Sequence, residues 1–146
     1  MKKSVLFLCT HNSARSQMAE AYLNKLYGDR YEARSAGIRP TRVNPHVVKV
    51  MAEEGIDLSG ARSKSLEEYL DRNFDLVVTV CDNAREECPI FPGDELIHHA
   101  FRDPSTLRGS EEEVLAQVRE IRDEIKGWVK EYFKLNTSGW INDHGR

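Results

Sequence analysis

Apolar residues follow two rhythms along this chain, and the switches between them mark its elements. From Lys3 to Leu8 (KSVLFL) the apolar run is unbroken, which predicts a short strand buried on both faces. Met18, Ala19, Tyr22, Leu23 and Leu26 then recur three and four apart. That spacing predicts a helix beginning at Ser16 and stopping at Gly28. Tyr31 to Ser35 is a second strand candidate, closed by Ala36-Gly37. Asn44-Pro45 is a helix start, with Asn as cap and Pro at the first position. Val47, Val48 and Met51 give that helix its apolar face, and Gly55 ends it. Ser65 caps a short helix through Leu70, with Glu67 and Glu68 in its first turn. Phe74 to Val80 (FDLVVTV) is the clearest strand pattern, and Cys81 follows it directly. A short helical segment is expected from there to Cys88-Pro89, and a fourth strand from Glu95 to His99. Ser110 and three glutamates open a long helix, Glu111 to about Lys134. Its buried stripe is Val114, Val118, Ile121, Ile125, Trp128, Val129, Tyr132 and Phe133.

Strands alternating with helices predict an α/β fold: one domain over residues 1–135, with a central four-stranded parallel sheet flanked by helices on both faces. Residues 136–146 (NTSGWINDHGR) form a polar tail. Ligands of such sheets sit at the carboxyl ends of the strands. Cys9 and Cys81 both fall there, on one edge of the sheet.

Composition narrows the function. The chain has 146 residues, 40% hydrophobic and 31% charged, with a formal net charge of -3. It carries no long basic stripe, so nucleic acid is not an expected partner. Lys2 and Lys3 precede only the short stretch Val5 to Leu8, too short for a signal-peptide core or a membrane span. The expectation is a cytosolic monomer. The three cysteines are Cys9, Cys81 and Cys88. An odd, sparse count argues against a secreted disulfide framework and leaves either inert core thiols or chemistry.

The segment Cys9-Thr10-His11-Asn12-Ser13-Ala14-Arg15-Ser16 joins a strand to a helix. A loop curling before a helix N-terminus aims several backbone N–H groups at one point, where the helix dipole is positive. Such a cradle binds a tetrahedral oxyanion and favours a thiolate, so a lowered Cys9 pKa is expected. Arg15 would grip two oxygens of the anion with its planar fork, and Ser16 would donate a hydrogen bond to the thiolate. The bland alternative is a buried strand-end thiol and a surface arginine. Placement between strand and helix, with Ser after Arg, favours a nucleophile.

The loop resembles the phosphate loop of the low-molecular-weight tyrosine phosphatases, Cys-x-Gly-Asn-x-Cys-Arg-Ser. Asn12, Arg15 and Ser16 match, while His11 stands for the usual Gly and Ala14 for the second Cys. Ser35-Ala36-Gly37, Asn44-Pro45 through Met51, and Gly55-Ile56-Asp57 match as well. The resemblance runs from about Lys3 to Leu135. The stretch VVTVCDNAREECP is similar to the thioredoxin-coupled arsenate reductases of that superfamily, which carry two cysteines separated by six residues after a strand. This resemblance implies a relay. Cys9 attacks arsenate, Cys81 attacks Cys9 to give a Cys9–Cys81 disulfide, and Cys88 attacks Cys81 to give Cys81–Cys88. Thioredoxin reduces the last bond, and no bound cofactor is implied. A helical Cys81–Cys88 spacing would hold the Cα atoms about 10 Å apart. A disulfide needs roughly 4.4–6.8 Å, so oxidation is expected to unwind this segment.

The resemblance also makes Asp103, in Asp103-Pro104, the general acid. Ser105 stands where the phosphatases commonly have Tyr, which leans away from aryl phosphates; a phosphatase acting on phosphotyrosine or small phosphate esters is the competing reading. His98 and His99 are adjacent on a strand and point to opposite faces, so they are poor co-ligands and no metal site is expected. Some related reductases hold a potassium ion near the loop, through the equivalents of Asn12 and Glu20 and a third acid. Here Lys64 falls near the position of that acid; either its ammonium replaces the cation or it is a solvated surface lysine.

Overall fold

A computed structural model describes residues 2–82 and 93–135. The segment 83–92, which contains Cys88, and the tail 136–146 lie outside the described residues, as do the expectations that fall on them. Four parallel strands form one sheet in the order β2-β1-β3-β4: β1 Lys3–Cys9, β2 Tyr31–Gly37, β3 Phe74–Thr79 and β4 Gly93–His98. The expected four-stranded parallel sheet is borne out. The fourth strand begins two residues earlier than predicted. Ala36 and Gly37 extend β2 rather than close it, because both pair along β1.

Three long helices are described: α1 Arg15–Tyr27, α2 Pro45–Ala52 and α3 Glu111–Leu135. Asn44 caps α2 by accepting from the His46 N–H at 2.8 Å, with Pro45 at the first position as predicted. Val47, Val50 and Met51 form its buried face; Val50 takes the place expected for Val48, which is only partly buried. The chain leaves α2 through Gly55, at φ 76, where a side chain would be strained. Gly28, by contrast, keeps a helical φ of -63, so α1 ends without a left-handed stop. Ser65 caps as predicted, accepting from the Glu67 N–H, but the helix it opens is one 3-10 turn, Leu66–Tyr69.

The core sits between the sheet and the α1–α3 pair. Phe133 of α3 makes edge contacts with Phe7 of β1 and Tyr31 of β2, with ring centroids 6.2 and 5.0 Å apart. Leu6, Leu8 and Val77, on the opposite face of the sheet, are also fully buried. Both faces of the central strands are therefore dry, which explains why β1 and β3 are continuous apolar runs rather than alternating ones. Trp128 and Tyr132, predicted in the buried stripe, are only partly buried. They stack on each other, and Trp128 stacks on His99. Among the described residues no helix is long and apolar enough to cross a membrane.

Candidate active site

β1 and β3 are neighbours in register, with Leu8 opposite Thr79, so their next residues leave the sheet together. Val80 continues the pairing, donating to Leu8 O at 3.0 Å. The register therefore sets Cys9 beside Val80 and Thr10 beside Cys81; the two thiols lie one step apart, 2% and 4% exposed, close enough for Cys81 to act on the Cys9 thiol. Thr10 Oγ1 lies 3.3 Å from the Cys81 sulfur. Sequence reading treated Thr10 only as a loop member. Its contact with Cys81 depends on sheet register, which a linear motif does not display.

Four backbone hydrogen bonds tie the loop to the segment after β2. Ile38, Arg39, Thr41 and Asn44 donate to the carbonyls of Cys9, Thr10, His11 and Ser13 at 3.2, 2.8, 3.2 and 2.8 Å. Gly37, opposite Cys9, makes this possible. A Cβ there would sit 2.8 Å from both Asn12 N and Thr10 O.

Inside the loop, His11 does not occupy a left-handed position. The only described non-glycine residue at positive φ is Asn12, at φ 51. The departure from the usual Gly therefore costs no backbone strain, and Asn is among the side chains that tolerate this conformation. Asn12 is fully buried and tightly bonded. Its Oδ1 accepts from Lys64 N at 2.8 Å and Gln17 Nε2 at 2.9 Å, and its carbonyl accepts from Ser63 Oγ at 2.9 Å and Gln17 Nε2 at 3.2 Å. Its Nδ2 donates to Ser16 Oγ at 2.8 Å, leaving the Ser16 hydroxyl its own proton to give. Gln17, 3% exposed, was missed by motif reading because it lies just past the Cys-to-Ser segment.

Arg15 opens α1 and is 8% exposed. Ala14 supplies no side-chain cap, so the first N–H groups of α1 are free to face the loop. Arg15 Nη1 donates to Phe101 O at 3.0 Å, and Nη2 lies 3.6 Å from Asp103 Oδ2. Its Nε is buried without a partner among the described residues, a donor fit for an anionic oxygen. Asp103 Oδ1 accepts from Ser105 N and Oγ at 2.9 and 2.8 Å, which fixes the carboxyl on the turn Pro104–Thr106. The structure thus brings Cys9, Arg15, Ser16, Cys81 and Asp103 into one site.

The expected lowering of the Cys9 pKa does not hold. The hydrogen bond with Cys81 and then burial push the Cys9 thiol well up, against Arg15 and the His11 N–H, which pull it down. The cradle alone would lower the pKa; the second thiol, delivered just after β3, reverses the shift.

Lys64 lies beside the loop, as expected. Its Nζ is 3.7 Å from Glu20 Oε1 and 3.4 Å from Ser35 Oγ, and Ser35 Oγ also donates to Glu20. Glu20 and Ser35 are therefore taken up by an ammonium, and this set does not fit a potassium ion. His98 and His99 diverge: His98 bonds Thr79 Oγ1 and Asp82 Oδ1 at 2.7 and 2.8 Å, and His99 stacks on Trp128.

The family model for low molecular weight phosphotyrosine protein phosphatase matches residues 4–137. A relative from Halalkalibacterium halodurans, named arsenate reductase, is 45% identical over 90% of this chain and 95% of its own. The solved thioredoxin-dependent arsenate reductase of Corynebacterium glutamicum is 33% identical, with a TM-score of 0.71, over 91% of this chain and 61% of that one. The low molecular weight protein tyrosine phosphatase of T. tengcongensis superposes with a TM-score of 0.74 at 27% identity, over 91% of this chain and 99% of that one.

Proposed function

This chain belongs to the low molecular weight phosphotyrosine protein phosphatase family, and from that premise we propose that it is an arsenate reductase regenerated by thioredoxin, acting as a cytosolic monomer without a bound cofactor. The observation that carries the reading is a second buried thiol, Cys81, set one register step from Cys9 and bonded by Thr10 of the same loop. Hydrolysis of a phosphate ester needs one thiolate, an arginine and an acid. A second thiol brought in from another strand, where the loop itself has Ala14, serves a nucleophile that must be relieved of an oxidation.

In the first step the Cys9 thiolate attacks arsenic, held by the loop N–H groups and Arg15. A sulfur–arsenic bond forms, and one oxygen leaves as water with a proton delivered by Asp103. Cys81 then attacks the Cys9 sulfur. The sulfur–arsenic bond breaks with its electron pair going to arsenic, so As(V) becomes As(III). Arsenite departs and a Cys9–Cys81 disulfide remains. Cys88 attacks Cys81, Cys9 leaves as thiolate, and thioredoxin reduces the resulting Cys81–Cys88 bond by exchange. Thr10 orients the Cys81 sulfur. Lys64 supplies beside Asn12 and Glu20 the positive charge that a cation supplies elsewhere.

Cys9, Arg15 and Asp103 also suffice for phosphate esters, and hydrolysis of these is a side activity of the same loop. Turnover of arsenate with thioredoxin, thioredoxin reductase and NADPH tests the reading. Cys81→Ser and Cys88→Ser should each abolish turnover while aryl phosphate hydrolysis survives; unchanged turnover in both variants would sink the relay.

A further inference from the structure

A cavity of about 530 Å³ opens beside the loop. His11 and Ser13 of the loop line it together with Arg42, His46, Pro104, Ser105 and Leu107. Among the described residues no Phe, Tyr or Trp lines it. Arg42 is exposed, yet its backbone is not loose. It lies between Thr41 and Asn44, which donate to the loop carbonyls of His11 and Ser13 at 3.2 and 2.8 Å. Among the described residues it has no hydrogen bond or ion pair. The nearby acids are already engaged. Glu111 meets His46 at 2.9 Å and Lys49 at 3.5 Å, and Asp103 is held by Ser105 and Arg15. His11 uses Nδ1 on Arg39 O, which leaves Nε2 as its other polar atom.

A guanidinium carried on a tethered backbone at a groove that joins an oxyanion loop suits a second anionic group on the same ligand. We propose that this groove is an anion subsite centred on Arg42, selecting phosphate monoesters whose alcohol carries a carboxylate over neutral aryl esters. The proposal rests on the reading that the loop accepts phosphate esters, and it names which esters.

The test uses two phosphonates of equal shape, 4-carboxybenzylphosphonate and 4-carbamoylbenzylphosphonate, titrated calorimetrically into the reduced protein. The carboxylate should bind about tenfold tighter, the scale of one charge-assisted hydrogen bond. Arg42→Ala should erase the preference and Arg42→Glu should invert it, with the carbamoyl compound unaffected by either change. Equal affinities in the parent, no binding of either compound, or a preference that survives Arg42→Glu would overturn the subsite. Hydrolysis of the matching aryl phosphates is measured alongside. Arg42-dependent phosphonate binding with no ester turnover would leave the subsite standing and remove the esterase side activity instead.

Discussion

Replacing Gln17 with Glu keeps the shape of a buried side chain and reverses its hydrogen bonding. The Gln17 amide nitrogen faces three acceptors: Asn12 O at 3.2 Å, Asn12 Oδ1 at 2.9 Å and Arg62 O at 2.9 Å. These bonds pin Asn12 in its left-handed conformation and tie the loop to residues 62–64. A glutamate presents an acceptor to the same three oxygens. Two buried hydrogen bonds are lost at about 1 kcal/mol each, and an unmatched acceptor adds about 1 kcal/mol more, giving ~3 kcal/mol near pH 8. The carboxyl regains a donor when protonated, so burial among acceptors raises its pKa above the unfolded value near 4.3. The sign follows: the variant's stability is retained below about pH 4.3 and lost as pH rises above it. The parent has no such group at this position, so the gap between parent and variant should widen from pH 5 to pH 8. Urea unfolding at both pH values, followed by tryptophan fluorescence under reducing conditions, measures this gap. Gln17→Leu serves as control and should give a gap of about 1–2 kcal/mol at either pH. A Glu variant within 0.5 kcal/mol of the parent at about pH 8, or a gap that does not change with pH, would refute the reasoning.

Cys81→Ala removes the largest cause holding the Cys9 thiol up. The pH midpoint for alkylation of Cys9 by iodoacetamide should therefore move down, and an unmoved midpoint counts against the thiol pair. Asp103→Asn should slow formation of the arsenic adduct about 10²- to 10⁴-fold in single-turnover kinetics. A change of less than about threefold would remove Asp103 as the acid. Lys64→Ser takes the ammonium from between Glu20 and Ser35. The variant should lose about 1 kcal/mol of stability and gain activity on addition of potassium, to which the parent should not respond. Potassium activation of the parent would mean that Lys64 does not replace the cation.

Much of this was legible in the sequence because the chemistry is local. The strand–loop–helix unit holding Cys9, Arg15 and Ser16 lies within one continuous stretch, and the apolar runs of β1 and β3 announced strands buried on both faces. What the sequence withheld depends on register and on contacts between distant segments. Parallel pairing of Leu8 with Thr79 sets Cys81 beside Thr10, one step from Cys9, and the second thiol reverses the expected shift of the Cys9 pKa. Positive φ falls on Asn12 rather than on His11, so His11 in place of the usual Gly carries no backbone strain. Gln17 and Ser63 clamp Asn12 from two segments that no motif joins. Gly37 matters because of backbone pressed against it from the loop, which local sequence does not reveal.

The relay makes a stoichiometric claim, and thiol counting tests it most directly. Fully reduced protein is mixed with one equivalent of arsenate in the absence of thioredoxin, quenched, and alkylated. The account predicts one equivalent of arsenite, one free thiol at Cys9 out of the three in the chain, and a Cys81–Cys88 disulfide in the peptide map. Three free thiols with no arsenite released, or Cys9 still held in the final disulfide, would contradict it.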